Sequence, residues 1–233
     1  MRQGEGMDTL PVTDRTRVTR LADQQVTDRR ALHDLLDEAL VAHVALVRDG
    51  VPVVLPLGFA RDGDSILLHG STGGGLLREA ATGTPVTVAV TLLDGLVFAR
   101  SLFDSSMNYR SAMIIGVAEA VPAAERLDAL QRLSDHLMPG RWDEVRETRK
   151  RELAATLVLR LSLTEASVKV SAANASTAPD DGDSRDVWAG VLPLRTVAAE
   201  PVPSPDVPAG VPVPPSVRAA AARLANRPAG RAS

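Results

Sequence analysis

The sequence has 233 residues and no cysteine. This absence excludes disulfide bonds, catalytic thiolates and cysteine-ligated metals, and it agrees with the reducing environment of the cytosol. Aromatic residues make up only 3% of the chain, and the formal net charge is -3. Proteins that bind nucleic acids usually carry a basic face, often with aromatic residues among the basic ones. We therefore expect no nucleic acid among the partners of this protein.

Long apolar runs are also missing from the sequence. No stretch approaches the roughly 20 apolar residues that a membrane-spanning helix needs, and the polar N-terminus lacks the apolar core of a signal peptide. The four histidines show no spacing typical of a metal site. The Gly-x-Ser-x-Gly motif of many hydrolases is absent as well. The sequence thus predicts a cytoplasmic protein with no membrane partner and no metal site.

Composition divides the chain into three parts. Residues 1–26 are polar and show neither helix nor strand periodicity, which predicts a flexible N-terminal arm. Residues 27–199 carry the apolar patterns of one folded domain, interrupted at 171–186 by a segment whose composition predicts a disordered loop. Residues 200–233 form a proline-rich C-terminal tail, with seven prolines between positions 201 and 215.

Two segments have the apolar spacing of helices that pack on one side. The first begins after Thr27, a predicted N-cap, and the second begins at Pro122. The expected core side of the first helix consists of Leu32, Leu35, Leu36 and Ala39. The expected core side of the second helix consists of Leu127, Leu130, Leu133 and Leu137.

Elsewhere the period changes to that of strands. Short runs rich in β-branched residues and leucine are separated by Asp-Gly pairs at 49–50, 62–63 and 94–95, and each pair predicts a tight hairpin turn. Leucines alternate strictly from 157 to 163, as in a strand with one buried face. Repeated strand–helix–strand alternation is absent. The sequence therefore predicts a mainly β protein, with a six-stranded antiparallel barrel and helices packed outside it.

The stretch "HGSTGGG" at 69–75 lies between a predicted strand and a predicted helix. Its glycines let backbone N–H groups turn toward a ligand, the hydroxyls of Ser71 and Thr72 are further donors, and Arg78 adds positive charge. The stretch matches neither the Walker A motif nor the dinucleotide fingerprint. From the residues alone, it is either an anion-binding loop or a flexible loop, and His69 is either a packed side chain or a functional one.

The stretch "DSSMNYRS" at 104–111 holds the only tyrosine of the chain. Strand alternation places Asn108 and Arg110 on one face, with Tyr109 and Ser111 on the other. These groups suit either a phosphate or polar heterocycle, or the rim of a dimer interface. Trp188 likewise suits either packing against the core or contact with a flat ring.

Five segments together closely resemble the pyridoxamine 5'-phosphate oxidase-like family, in particular its branch near the nitroimidazole-resistance (Nim-type) proteins. They are "LPLGFARDGDSILLHGST" (55–72), "VTLLDGLVFARSLFDSSMNYRSAMIIG" (90–116), "GRWDEVR" (140–146), "ASVKV" (166–170) and "WAGVLPL" (188–194). The resemblance implies a split β-barrel that binds a flavin, usually FMN, at the interface of a homodimer. It also implies a set of cofactor-binding residues: Pro56, Leu57, His69, Gly70, Ser71, Thr72, Arg78, Arg100, Ser101, Asn108, Tyr109, Arg110, Ser111 and Trp188.

The function implied by the resemblance is that of an FMN-dependent oxidoreductase acting on a small organic substrate. The alternative is a non-catalytic protein that binds or senses flavin, the deazaflavin F420 or haem on the same fold. Two places depart from the family pattern. Gly74 and Gly75 stand where many relatives have a serine and a basic residue, and Asp104 and Ser105 stand where many have histidines.

Overall fold

A single, mainly antiparallel β sheet with a few helices dominates the structure, a computed structural model that describes residues 8–178 and 186–225. The predicted fold class is confirmed. The strands are β1 (Gln25–Val26), β2 (Val41–Arg48), β3 (Val51–Asp62), β4 (Ser65–Ser71), β5 (Pro85–Phe98), β6 (Ser106–Val117), β7 (Glu119–Ala120), β8 (Thr156–Ser162), β9 (Ala166–Ser171) and β10 (Gly190–Pro193). The α-helices are α1 (Arg29–Glu38), α2 (Gly75–Ala80), α3 (Arg126–Leu137), α4 (Lys150–Ala154) and α5 (Pro215–Ala225), and short 3₁₀ helices span Ala22–Gln24 and Arg141–Glu144.

The strands follow the order β1-β9-β6-β5-β2-β3-β4-β8-β7, and β10 pairs with β5. Strands β8 and β9 lie near opposite ends of this order, yet only residues 163–165 separate them along the chain. The sheet must therefore curl until its two ends approach each other, and the N–H of Ile115 on β6 donates to the carbonyl of Glu165 in that short connection at 2.9 Å. Within the described residues no ladder joins β8 to β9. The result is an open barrel, as in a split-barrel fold.

Of the three predicted Asp-Gly turns, the one at 94–95 is wrong. Strand β5 runs through both residues, and its register against β6 shifts between Leu93 and Gly95, which marks a β-bulge. The bulge persists because Asp94 pairs with Arg110, while Gly95 continues the ladder with β10 on its other side. The turn between β5 and β6 lies at 99–105 instead. By contrast, Asp49 and Gly50 have the positive φ angles, 51° and 78°, of a tight hairpin turn.

The first helix confirms its predicted core side, since Leu32, Leu35, Leu36 and Ala39 are all buried. Its N-cap is Asp28 rather than Thr27, and the Asp28 carboxylate accepts from the N–H of Arg30. In α3 the prediction for Leu127 is wrong, because this side chain is 44% exposed. At 3.6 residues per turn, Leu127 lies about 120° around the helix from the buried Leu133.

The core has two parts on opposite sides of the sheet. The larger part lies inside the curl, under α1 and α2. The smaller part lies between α3 and the strands β3, β4 and β8, and it consists of Ala60, Leu67, Val121, Ala129, Leu133 and Val158. We call the side of the sheet inside the curl, which carries Val44, Val88 and Ile114, the inner face. The opposite side, which carries His43, Ala89 and Met113, is the outer face.

The described part of the N-terminal segment packs on the sheet, whereas its composition predicted a flexible arm. Leu10 is buried, and its N–H donates to the carbonyl of Thr27 at 2.7 Å. The guanidinium of Arg15 binds both carboxylate oxygens of Glu165 at 2.8 and 2.6 Å. Side chains distant in sequence therefore anchor this segment, and residues 1–7 lie outside the described ones.

The predicted disordered loop at 171–186 lies partly outside the described residues, at 179–185. Its first residue ends β9. The proline-rich tail is exposed from 195 to 213 and ends in α5. This helix is anchored where the N–H and hydroxyl of Ser216 both donate to Glu144 and where Arg223 donates to the carbonyls of Asp37 and His136. Among the described residues, no helix has both the length and the apolar character needed to cross a membrane.

Candidate functional site

Strand β6 carries two sets of polar side chains on opposite faces, as its alternation predicts. Arg110 lies in register with Leu92 and on the same side as the buried Ala112 and Ile114, which is the inner face. Tyr109 and Ser111 project from the outer face and are half-buried. One short segment of chain therefore serves both the interior and the outer surface of the sheet.

Arg110 is fully engaged by two carboxylates on the inner side. Its Nε and Nη2 donate to Asp94 at 2.9 and 2.8 Å, and its Nη1 and Nη2 donate to Glu38 at 2.6 and 3.0 Å. Hydrogen bonds to Asp94 and then Glu38 raise the pKa of Arg110 well above its usual value, so the guanidinium stays charged. This triad joins the end of α1 to the bulge of β5 and to β6.

Asn108 is buried and also has its partners within the chain. Its Nδ2 donates to the carbonyl of Ala173 at 2.9 Å, and its Oδ1 accepts from the N–H of Ala173 at 3.1 Å. This pair of bonds fixes the segment that follows β9. Asn108 and Arg110 thus stabilise the fold in this structure, and their place in a cofactor wall stays a prediction.

The outer face of β2, β5 and β6 is open to solvent and largely apolar. Helix α3 covers the outer face only over β3, β4 and β8, because its buried side chains belong to the smaller core. Beyond that cover the exposed outer-face side chains include Val41, Val54, Pro56, Ala89 and Leu93. Contiguous exposed apolar surface of this kind typically marks a site of interaction.

His43 lies within this open surface and was not singled out by the sequence analysis. It stands on β2 directly across from Pro56 on β3 and Ala89 on β5, and its side chain is exposed. Its alternation with Val41, Ala45 and Val47 was visible in the sequence. The pattern did not reveal which face would remain uncovered, because that depends on where α3 packs.

The glycine-rich stretch forms the end of β4 and the turn into α2. Much of its backbone is already hydrogen-bonded, since the N–H groups of Thr72, Gly73 and Gly74 donate to the Ala155 carbonyl, the Ser71 hydroxyl and the Ser71 carbonyl respectively. The exposed donors are the side chains of Ser71, Thr72 and Arg78.

Two glycines of this stretch leave room for neighbouring side chains. A Cβ at Gly70 would lie 2.6 Å from Cδ1 of Leu77, so any larger residue there would require the Leu77 side chain to shift. A Cβ at Gly75 would lie 3.4 Å from Nη2 of Arg48, and Nε of Arg48 donates to Glu79 at 2.7 Å. The guanidinium of Arg48 therefore occupies the space beside a position without a side chain.

His69 projects from β4 on the outer side, in register with Val158 of the smaller core. Burial lowers the pKa of its imidazole, so the ring is neutral at pH 7. Its Nδ1 atom is buried without a hydrogen-bond partner. A buried polar atom of this kind costs stability unless another group completes it, which makes His69 a candidate ligand-binding residue.

The turn between β5 and β6 is held by hydrogen bonds among its own side chains. The Ser101 hydroxyl donates to Asp104 at 2.6 Å, and the Ser105 hydroxyl donates to the Ser101 carbonyl at 2.9 Å. Its two apolar tip residues, Leu102 and Phe103, are more than nine-tenths exposed. Asp104 and Ser105, where the chain departs from the family pattern, thus shape this turn.

Arg100 and Trp188 lie apart from the glycine-rich stretch. Nη1 of Arg100 donates to the Thr177 hydroxyl at 3.3 Å, while its Nε is buried without a partner. Trp188 is 67% exposed and tilts against Phe98 with ring centroids 6.0 Å apart. The indole does not pack into the core of this chain, so it is available to another molecule.

A separate open cavity of about 340 Å³ is lined by residues 142–143 and 145–148. None of the predicted site residues lines it. Among the described residues, no group of three or more histidine and acidic side chains is arranged to hold a metal ion.

The structure brings only some of the predicted residues together. Pro56, His69 and Ser71 lie on the outer side of the adjacent strands β3 and β4, whereas Tyr109 and Ser111 lie on the outer side of β6, with β5 and β2 between them. The side chain of Leu57 is half-buried against the larger core, so only the backbone of this residue is available to a ligand on the outer face. Ser101 shapes the β5–β6 turn, and Arg78 points to solvent from α2. The cofactor role of each residue stays a prediction.

Sequence and structure comparisons connect this arrangement to known proteins. A sequence profile described as pyridoxamine 5'-phosphate oxidase matches residues 28–170. A FAD and heme binding protein from Mycobacterium smegmatis is 46% identical, with 85% of this chain and 97% of that chain aligned and a TM-score of 0.82. The flavocytochrome Anf3 from Azotobacter vinelandii is 36% identical, with 89% and 96% aligned and a TM-score of 0.83.

A more distant similarity supports the fold alone. A candidate 5-nitroimidazole antibiotic resistance protein from Bacteroides thetaiotaomicron is 20% identical, with 63% of this chain and 86% of that chain aligned and a TM-score of 0.53. A search among curated proteins gave no match.

Proposed function

Because the chain belongs to the pyridoxamine 5'-phosphate oxidase family, we propose that it is a flavin-binding oxidoreductase that acts on a small organic substrate. The observation that carries this proposal is the open apolar outer face beside the hydroxyl-bearing end of β4. A flavin has a flat apolar ring system and a phosphorylated tail, and it needs a surface of both kinds. The proposal adds that the protein acts in the cytoplasm, which the lack of cysteine supports.

Two groups of residues divide the binding of the flavin. The hydroxyls of Ser71 and Thr72, with Arg78 on the next helix, face the phosphate. The outer-face positions Pro56 and Tyr109 contact the ring system, where a phenol is both an apolar surface and a hydrogen-bond donor. The flavin, when bound, supplies the electron transfer, and the residues of this chain hold and orient it.

His69 has a defined place in this arrangement. Its neutral imidazole lies on the strand that ends in Ser71, with an unpartnered Nδ1. A neutral imidazole can donate from one nitrogen and accept at the other. We assign it to hydrogen bonding with the flavin or substrate rather than to charge stabilisation.

The relatives favour one type of flavin over the other. The similarity to a FAD and heme binding protein at 46% identity favours FAD, whereas the resemblance in the sequence alone led to FMN. Both share the ring system and a phosphate on the ribityl chain, so the same two groups of residues serve either one. The deazaflavin F420 stays a prediction from the sequence.

The proposed assembly is a homodimer that buries the outer face. Exposed apolar side chains cover this face beyond the edge of α3, and a contiguous apolar surface is costly in water unless another molecule covers it. In a dimer with a two-fold axis, the outer face of each copy would be covered by the same residues of the other copy. Trp188, exposed on the return of the chain, would then contact the partner copy.

The second candidate function is haem binding beside the flavin. It is favoured by two of the relatives, a FAD and heme binding protein and a flavocytochrome, both of which are aligned over nearly their whole length. The fit of this chain rests on its uncommitted imidazoles, since the part of the chain that the structure describes shows no hydrogen-bond partner for the ring of His43 or of His69. With haem present, the protein would pass electrons between two cofactors.

Purification without added cofactor tests both functions in one preparation. We expect a yellow protein whose acid-released flavin migrates with FAD by chromatography, at one flavin per chain. A pyridine haemochrome assay on the same preparation measures haem. A colourless protein that takes up neither FMN nor FAD would overturn the flavin proposal.

A further inference from the structure

Every residue of the segment 195–213, between β10 and α5, is exposed, and we call this segment the arm. Two backbone hydrogen bonds lie within it, from the N–H of Val207 to the carbonyl of Ser204 and from the N–H of Val211 to the carbonyl of Pro208. Arg218, near the beginning of α5, donates to the carbonyl of Val213. The described part of the chain offers the arm no other hydrogen bond or ion pair. The arm therefore lies off the domain rather than against it.

Both ends of the arm are fixed to the same corner of the domain. Immediately before the arm, the N–H of Leu194 donates to the carbonyl of Asp94 at 2.9 Å. The triad of Arg110 joins the carboxylate of Asp94 to the last residue of α1. After the arm, Arg223 of α5 donates to the carbonyl of Asp37, which is also at the end of α1. The chain thus leaves this corner through the arm and returns to it.

The arm is much longer than the distance between its two ends. From Ser216 to Arg223, α5 covers about 10 Å, and the triad spans a similar distance, so the ends are on the order of 20–30 Å apart. An extended segment of the arm's length reaches about 60 Å. Five prolines within it favour this extended conformation. A segment that only connected α5 to β10 could be about half as long, so the arm must project from the domain.

The projecting arm carries apolar side chains that its own domain does not cover. Val197, Val202 and Val211 are 70%, 91% and 56% exposed. Burial of such side chains on another molecule is favourable, because it removes apolar surface from water. The prolines lower the entropy cost of ordering the arm on that molecule, since they already restrict its backbone. The arm thus has the properties of a binding segment.

The arm begins at the border of the apolar outer face. On this face Leu96 of β5 lies between Met107 of β6 and Leu192 of β10, and all three side chains are exposed. The outer face therefore continues across β10, and the arm starts two residues after this strand ends. A molecule that covers the outer face up to this border lies within reach of the arm.

We propose that the arm packs against a second copy of this chain and buries its valines along the edge of the partner's domain. The inference rests on the homodimer of the proposed function, and it adds a segment outside the sheet that holds the two copies together. In a dimer with a two-fold axis each copy both extends an arm and receives one, so every contact of the arm occurs twice.

Photo-crosslinking tests where the arm lies. Val202→Cys in the full-length protein is labelled with a benzophenone maleimide, which reacts at this position alone because the chain has no cysteine of its own. Irradiation at a concentration where the protein is dimeric should give a covalent product of twice the chain mass of 24.6 kDa. Ala123→Cys, labelled in the same way at an exposed position before α3, is the matched control and should keep the mass of one chain.

Two further variants measure what the arm contributes to association. In the first, residues 198–210 are replaced by six glycine and serine residues, which still let the chain reach α5. In the second, Val197→Ser, Val202→Ser and Val211→Ser are combined, which keeps the length of the arm and its prolines. We expect the dissociation constant of the dimer, measured by sedimentation, to rise at least about tenfold in both, because apolar burial is lost. The thermal midpoint of the dilute monomer should be unchanged, since the arm does not pack on its own domain.

Three outcomes would overturn the inference. The first is a dimer of wild-type affinity in either variant. The second is a labelled Val202→Cys protein that crosslinks only within one chain. The third is a wild-type protein that is monomeric, which would reject the dimer and the arm contact together. In the first two cases the dimer would stand without the arm, and flavin binding is decided separately by titration.

Discussion

The two faces of strand β6 use polar residues in opposite ways. On the inner face, Asn108 and Arg110 have their hydrogen-bonding groups satisfied by Ala173, Asp94 and Glu38. On the outer face, Tyr109 and Ser111 border an apolar surface that no other described part of the chain covers. Residues one position apart thus carry different tasks, one set holding the fold and the other available to a ligand.

Mutations can therefore distinguish the residues that stabilise the fold from the residues that are available to bind a ligand. Substitutions on the inner face should lower the free energy of unfolding and affect cofactors only through the fold. Substitutions on the outer face should change binding or assembly and leave the unfolding of the chain nearly unchanged. Variants on each face test that division.

Arg110→Ala should have the largest effect. It leaves Glu38 and Asp94, 16% and 11% exposed, without their common partner. Removal of one member of a buried ion pair costs about 3 kcal/mol or more. Urea unfolding of the apoprotein measures the loss, with Arg78→Ala on the surface of α2 as a control expected within about 0.5 kcal/mol of wild type. A loss below about 1 kcal/mol would mean that the triad does not hold the inner face.

Ala89→Arg should disrupt the proposed dimer by placing a charge in the middle of the outer face. Burial of an unpaired charge opposes association, and a 100-fold weaker dimer corresponds to about 2.8 kcal/mol. Light scattering over a dilution series measures the mass. Ala123→Arg, at an alanine before α3 that is also exposed, is the matched control and should stay dimeric. A dimer that tolerates Ala89→Arg would place the interface elsewhere.

Tyr109→Ala and Asn108→Ala compare the two faces at adjacent positions. Tyr109→Ala should weaken flavin binding about tenfold, or about 1.4 kcal/mol, with a small effect on unfolding. Asn108→Ala should do the reverse, because it leaves the backbone of Ala173 without its partners at a cost of about 1–2 kcal/mol. Flavin titration and urea unfolding are measured on both variants. Equal effects on flavin binding would support the cofactor wall that the sequence predicted for both residues.

His69 should give the smallest effect, a dependence of stability on pH. Its folded pKa is lowered by burial, so the unfolded chain binds the proton first as the pH falls. The contribution of the buried neutral ring to the free energy of unfolding is complete above the ordinary histidine pKa, about 6.5. It is lost as the pH falls through the lower pKa of the folded protein. Urea unfolding between pH 7.5 and 5 should show a steeper loss in wild type than in His69→Gln. Identical slopes would show that the ring is not desolvated.

The strand pattern and the alternation along β6 were predictable because both depend on local periodicity. The bulge at Asp94 was not, since an Asp-Gly pair favours a turn unless distant residues intervene. Here Arg110, which is 16 residues from Asp94 and 72 residues from Glu38, binds both carboxylates. The same holds for His43, whose exposure is decided by how far α3 extends over the sheet. The bulge and the exposure of His43 both depend on long-range packing, which local sequence patterns do not reveal.

Flavin binding at the outer face can be measured in solution. A fluorescence titration of FAD and FMN with the apoprotein tests it most directly, together with Tyr109→Ala. We predict that flavin fluorescence changes until one flavin is bound per chain and that Tyr109→Ala shifts the curve to higher concentrations. Flavin fluorescence that stays constant in the presence of excess wild-type protein would contradict flavin binding by this chain.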